Sequence, residues 1–427
     1  MMHSHAHGPP PRTSPAMQRR LLWAVAPFVV ITVVGLVKLW PSGADLQVGA
    51  PGVGIQRYGA TVVMVDEGAC ESPSVGVELV CSVVGIRLDE GPDEGSEFSF
   101  NFSGGENQRG FESGDKIIVT PTQTTEGVEL PEDVPPYGFV DFQRGTPLIL
   151  LTAIFVIVVI LLSRVKGITS LLGLGISLLI LVRFVLPAIL EGSSPIAVAI
   201  VGAAAIMFAA LYLSHGVNVR TTCAVLGTLI SLAVTGILAV VFVEVGHLTG
   251  FASDEATFLQ VSAQQINLQG LLLGGIIIGT LGVLDDVTVT QASAVWEIHL
   301  ANRGYGFVHL YSAGIRIGRD HIASTVNTLV LAYAGAALPL LILFTISSTG
   351  FSNVITSEVV AEEVVRTLVG SIGLIASVPI TTGLTALVLT RGNPEAREVE
   401  SEPEPVTPPE AKKSRFEEKW FGSDQDS

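Results

Sequence analysis

Charge, bulky aromatics and cysteine are all scarce in these 427 residues. Only 15% of the residues are charged, against about 25% in ordinary soluble domains. The shortfall lies in long apolar runs, and the mean hydropathy is +0.57. Those runs exclude an ordinary water-soluble fold and point to a multi-pass membrane protein. Basic residues are the scarcer sign: 23 Lys and Arg face 39 Asp and Glu, a net charge of −16. With no basic cluster, that balance argues against nucleic acid as a partner. No Walker A sequence, nucleophile elbow or H-E-x-x-H run is present. ATP-driven transport by this chain alone is disfavoured, and no catalytic residue, metal or cofactor is assigned.

What is present is a series of apolar runs, at 21–39, 148–163, 168–190, 195–213, 222–245, 268–284, 326–346 and 368–390. A helix needs roughly 20 residues to cross about 30 Å of hydrocarbon. Lipid offers no partner to the backbone, so these runs read as helices. Many of the 45 glycines lie inside them, where small residues let helices approach closely. The fold class is therefore mainly α: a polytopic transmembrane bundle of about eight spans with a small extracytoplasmic β-barrel-like or β-sandwich domain.

The organisation follows. Residues 1–20 form a disordered tail, 21–39 a membrane anchor, 41–147 a β-rich domain and linker, 148–391 a seven-span membrane domain, and 392–427 a disordered acidic tail. The anchor also has a signal-peptide reading, with Ser42-Gly43-Ala44 as the cleavage stretch, but its apolar run is longer than usual. Alternating runs at Gly59–Val65, Val77–Leu88, Glu97–Phe102 and Lys116–Thr120, separated by turn clusters, predict the strands. Cys70 and Cys81 lie close together in this domain, and a disulfide between them stands open beside the free form. Cys223 reads as a packing residue in a span. In the tails, His3, His5 and His7 read as polar chain or a weak copper or nickel site. Phe416, Trp420 and Phe421 read as part of a mobile tail or as a docking point.

Orientation comes from Lys and Arg near the span ends. Arg19, Arg20, Arg164, Lys166, Arg220, Arg303, Arg316, Arg319 and Arg391 fall on one side in this scheme. That side is taken as the cytoplasm, so both termini are cytoplasmic in a bacterial plasma membrane. The opposite short loops are acidic, and Arg183 stands within a span.

Three sets of residues are candidates for function. Asp285 and Asp286 end the run 268–284, and a carboxylate at the bilayer is costly enough to suggest a role. Two adjacent acids also repel, which suits proton coupling; the competing reading is a helix cap at Asp286. Thr288, Thr290, Gln291, Ser293 and Glu297 add oxygens nearby. The second set is a polar stretch 285–325, expected as a cytoplasmic loop with a surface helix over Val287–Ala301, and it leads through Arg319, Asp320 and His321 to Asn327. The third is Glu358, Glu362, Glu363 and Arg366, an outer vestibule in which Glu362 and Arg366 are spaced to pair. Pro339 and Pro379 fall inside spans and free backbone carbonyls.

The runs GTLGVLDDVTVTQASAVWEIHLAN (279–302), GIRIGRDHIASTVNTLVLAYAGAALPLL (314–341) and SEVVAEEVVRTLVGSIGLIASVPITT (357–382) closely resemble the YibE/F family of bacterial membrane proteins. The resemblance extends over about 139–390 through FVDFQRGTPLILL, SSPIAVAIVGAAAIMF and YLSHGVNVRTTCAVLGT. It implies a multi-pass protein whose family pattern includes Asp285, Asp286 and Arg319–His321. It implies no substrate, reaction or cofactor, and no residue role is carried over. The expected function is transport of a small solute or ion, driven by proton movement, with Asp285, Asp286, Asn327, Glu297, Arg319, Asp320 and His321 at the pathway. The alternative is a non-enzymatic scaffold binding envelope partners through the β domain. The expected partners are the lipid bilayer and the transported solute.

Overall fold

The computed structural model describes residues 15–43, 56–69, 79–105, 109–122, 134–346, 353–354 and 356–392. Cys70, the three tail histidines, Phe416, Trp420 and Phe421 lie outside the described residues, and the Cys70–Cys81 pairing with them. The chain divides into two compact units. One comprises residues 1–34, 215–246 and 275–427, the other 35–214 and 247–274.

The second unit holds the sheet. Its strands are β1 (Tyr58–Ala69), β2 (Leu79–Leu88), β3 (Glu97–Gly105), β4 (Lys116–Pro121) and β5 (Tyr137–Phe142), in the order β3-β2-β1-β4-β5. All neighbours are antiparallel. Placing β4 beside β1, after a β1-β2-β3 meander, is the Greek-key order. β3 also approaches β5, so the one sheet curls toward closure, as in OB-type barrels, and is not a two-sheet sandwich. Alternation along the strands turns Ala60, Val62, Val84, Ile86, Ile117 and Val119 inward. Phe111 sits edge-on to Phe100, Phe102 and Phe139 and fills the middle. Four strands match the alternating runs of the sequence. The short β5 escaped because it directly precedes the long apolar helix that starts at Gly145. In the β2–β3 turn, Gly91 has φ +109°, and a Cβ there would come within 2.7 Å of the Tyr58 ring.

Tyr137 is buried and donates its hydroxyl to Asp93 Oδ2 at 2.6 Å. Burial, and then this bond to a carboxylate, push its pKa up to about 12. A raised pKa means stabilisation that is complete below the unfolded value of 10.0 and lost as pH rises through about 12. Tyr137→Phe is expected to cost about 1.5–3 kcal/mol at neutral pH, the range for a hydrogen bond to a charged group. It is also expected to remove the barrel's extra loss of stability between those two pH values, as followed by thermal unfolding monitored across alkaline pH.

The helices of this unit start with α2 (Gly145–Ile180), which continues through a π-helical turn (Leu181–Val185) into α3 (Leu186–Leu190). α2 is not straight. Arg164 has φ 53° and ψ −130°, and a Cβ on Gly167 would lie 2.7 Å from the Val159 carbonyl oxygen. In an unbroken helix eight residues separate these positions by ~12 Å, so the chain folds back at Arg164. The π turn has a local cause: Pro187 has no N–H for the carbonyl of Arg183, four residues earlier. Glu191, in the turn before the next helix, accepts bonds from Ser42 N, Ser42 Oγ and Gly43 N. The Ser42 backbone bond in particular holds its carboxyl below the usual range. α4 (Pro195–His215) packs Gly202 closely on Val185.

The other unit is a helical bundle. It contains most of α1 (Pro15–Lys38), then α5 (Val219–Val245), most of α7 (Leu268–Ala301), α8 (Phe307–Ala336), α9 (Leu338–Ile346) and α10 (Glu358–Gly392); α6 (Asp254–Ser262) belongs to the unit that holds the sheet. Gly227 meets Thr381 and Gly373 meets Thr235, so α5 and α10 are antiparallel. Gly314 meets Thr382 and Gly318 meets Val378, so α8 and α10 are antiparallel as well. Gly314 and Gly318 form a G-x-x-x-G pair whose missing side chains let α8 come close to α7 and α10.

Among the described residues, six helices are long and apolar enough to cross a membrane, and the pair α8 and α9, bent by 61°, makes a seventh candidate. Pro339, the second residue of α9, occupies a position where a missing N–H costs little. Two expectations need correction. The run 268–284 does not stop at the acids: α7 continues to Ala301, so Val287–Ala301 is not a separate surface helix and Asp286 is not a cap. Nor is 285–325 a loop, because α8 begins at Phe307 and carries Arg316, Arg319, Asp320 and His321. The turn is only residues 302–306. Thr288 and Gln291 of α7 find side-chain and backbone partners inside the bundle.

Candidate functional site

Those partners form a polar seam. Thr228, Ser231 and Thr235 recur at helical spacing on α5 and are fully buried. Thr280, Thr288 and Gln291 are buried on α7, and Ser371, Ser377, Thr381, Thr382 and Thr385 on α10. Several hydroxyls return to their own helix: Thr235 bonds Ser231 O at 2.8 Å, Thr280 bonds Ile276 O at 2.7 Å, and Ser377 bonds Leu374 O at 2.7 Å. Gln291 ties three helices together. Its Nε2 donates to Gly314 O at 2.8 Å and to Thr382 Oγ1 at 2.6 Å. The absent side chain of Gly314 is what exposes that carbonyl.

Asp285 is the acid that belongs to this seam. Thr228 Oγ1 and Thr288 Oγ1 are 2.7 Å apart, and the Thr228 hydroxyl lies beside the Asp285 carboxylate. Asp285 Oδ1 is inaccessible and has no hydrogen-bond partner. Ser231 Oγ, Ser371 Oγ and Thr381 Oγ1 are buried without partners as well. Asp286, one helical step of about 100° further on, is exposed. The adjacent carboxylates therefore face different surroundings and do not share a site.

A profile of the YibE/F-like protein family matches residues 151–391. The chain belongs to this family. The match covers α5, α7, α8 and α10, so the polar seam lies inside the YibE/F-like region, whereas the β-barrel lies before it. No curated protein and no solved structure matches the chain.

The remaining expected residues do not converge on Asp285. Glu297 is exposed on α7, twelve residues and ~18 Å further along the helix. Arg319, Asp320 and Asn327 are exposed on the outer face of α8, while His321 is half-buried with Nε2 unpartnered. On α10, Glu358, Glu362 and Glu363 are half-buried, and Arg366 forms an ion pair with Glu363 at 3.6 Å. Among the described residues, no group of three His, Cys, Asp or Glu side chains is arranged to hold a metal. The residues that composition hid are the α5 hydroxyls. Their signal was the spacing of Thr228, Ser231 and Thr235 within an otherwise apolar run.

Proposed function

We propose that this protein is a transporter of a small solute or ion in the bacterial plasma membrane, with the bundle of α5, α7, α8 and α10 as its working part. The observation that carries this reading is Asp285: a carboxylate inside a membrane helix bundle, with one oxygen inaccessible and unpartnered. Such a group is expensive in lipid and is retained where it binds or moves something. The outer face of α8 supports the same reading. Ser312, Arg316, Arg319, Asp320, Ser324 and Asn327 are exposed along it, whereas the exposed face of α2 carries Leu148, Ile149, Leu151 and Ile154. Lipid suits the second surface, and water or a polar solute suits the first.

Topology completes the proposal. Counting the two arms of α2 separately, and α8 with α9 as one, gives eight crossings. Met17 and Leu21 cluster with Val219, Cys223, Val295, Trp296, Leu310 and Leu389. That cluster draws Arg19, Arg20, Arg220, Arg303 and Arg391 toward one end of the bundle, which we take as cytoplasmic. The β-barrel then lies outside. Reconstituted protein on solid-supported membranes, challenged with a panel of inorganic ions and small organic anions, cations and amino acids, is expected to give a current with at least one. Silence across the panel, with stable envelope partners recovered by crosslinking, contradicts transport and favours the scaffold.

A further inference from the structure

We infer that Asp285 is a reversible proton carrier, and that Thr228 and Thr288 form a two-hydroxyl relay able to satisfy both its charged and its neutral form. This rests on the transport reading and names the ion coupled to it. Each hydroxyl has one proton to donate and can also accept. Around Thr228 lie three acceptors: the Asp285 carboxylate, Thr288 Oγ1 at 2.7 Å and the Ala224 carbonyl at 3.1 Å. Around Thr288 lie Thr228 Oγ1 and the Asp285 backbone carbonyl, the latter at 3.2 Å.

Two complete arrangements follow. With Asp285 ionised, Thr288 donates to Thr228 and Thr228 donates to the carboxylate. With Asp285 protonated, the carboxyl donates to Thr228, Thr228 turns to the Ala224 carbonyl and Thr288 turns to the Asp285 carbonyl. No donor is stranded in either state, and the two differ by the rotation of two hydroxyls. The step is a single O–H bond made with a proton from water on one side of the membrane and broken to water on the other. Nothing is oxidised or reduced.

A proton fits this site better than a metal cation. A hard ion such as calcium takes 6–8 oxygens at 2.3–2.6 Å. Here there are a carboxylate, two hydroxyls already bonded to one another, and backbone carbonyls. Nor does a fixed cation compensate the carboxylate, since no ion pair among the described residues involves Asp285. On α7 the neighbouring Asp286 is exposed. α5 carries only Arg220 and Glu244, near its opposite ends, and α10 carries Glu358, Glu362, Glu363 and Arg366 in its first turns and Arg391 in its last. On α8, Arg316, Arg319 and Asp320 face outward, and His321 is half-buried. A charged carboxylate with one oxygen uncompensated is costly in such surroundings, and taking up a proton removes the charge.

Infrared difference spectroscopy of the full-length protein in nanodiscs, titrated with pH in sodium-free buffer, tests this. A C=O stretch of a protonated carboxylic acid is expected to appear and disappear with pH, to be lost in Asp285→Asn and kept in Asp286→Asn. Thr228→Val is expected to shift that band by removing its hydrogen-bond partner, and Thr228→Ser to leave it in place. A spectrum unchanged by Asp285→Asn overturns the proton carrier, and a band indifferent to Thr228→Val overturns the relay. If Thr228→Val does not fold, the same comparison is made with Thr228→Ala. A titrating Asp285 band in protein that gives no current contradicts transport alone, whereas a current without the band contradicts this inference alone.

Discussion

Asp285→Asn is expected to lower any current carried by this protein by about 10²-fold or more, the scale on which a positioned proton-transfer group acts. The amide keeps the shape of the carboxylate but cannot take up and release a proton. The fold should survive. The substitution removes the charge of a half-buried carboxylate whose inaccessible Oδ1 has no partner, so thermal unfolding is expected to be unchanged or to move upward. Loss of activity with retained or increased stability is the mark of a group kept for function against its own cost. Asp286→Asn, at the exposed neighbour, is expected to retain most of the current. Equal losses in the two variants would count against Asp285 as the acting group.

The second large effect concerns packing. Gly318→Leu is expected to destabilise the bundle by about 1–3 kcal/mol, the usual range for overpacking, or to prevent assembly. A Cβ at Gly318 would collide with Val378 Cγ1 and come within 3.0 Å of Gln291 Oε1. The side chain would thus separate α8 from α10 and disturb the three-helix bonds of Gln291. The smaller Gly318→Ala should be rescued in part by Val378→Ala, which clears the space. Gly335→Ala is the control on the same helix, because a Cβ there meets nothing within 4 Å; it should be neutral or stabilising, since alanine is the better helix former by about 1 kcal/mol. Unfolding midpoints of the purified variants separate these cases. Equal midpoints for the Gly318 and Gly335 variants would remove the close α8–α10 approach from the account.

Much of the architecture was legible because long apolar runs mark helices that face lipid or one another, and alternation marks the buried face of a strand. The apolar runs located α1, α2, α4, α5 and the second half of α10, and alternation located β1 to β4. The errors share one cause: a hydropathy window averages round a helix and does not see its faces. α8 buries Leu310, Gly314 and Gly318 while exposing Arg316 and Arg319, so its first half averaged to a polar loop. α7 was cut at Asp285 for the same reason, although Val287, Thr288, Gln291, Ala292, Val295 and Trp296 continue its buried side. Asp285 stood out because a charge beside an apolar run is rare. Thr228 did not, because an isolated threonine in a span is ordinary, and only the fold brings it to within 2.7 Å of Thr288 sixty residues away. The G-x-x-x-G pair Gly314–Gly318 was in plain view but lay in a stretch taken for a loop.

In the proposed topology the short turn between α7 and α8 is cytoplasmic and the β-rich domain is extracytoplasmic. Single cysteines at Gly95, in the β2–β3 turn, and at Tyr305, in the α7–α8 turn, would report this in a variant whose native cysteines are replaced. With a membrane-impermeant maleimide, position 95 should be labelled in intact cells and position 305 only after the membrane is opened. Labelling of both in intact cells, or of neither until the membrane is opened, would place the barrel and the turn on one side and contradict the account.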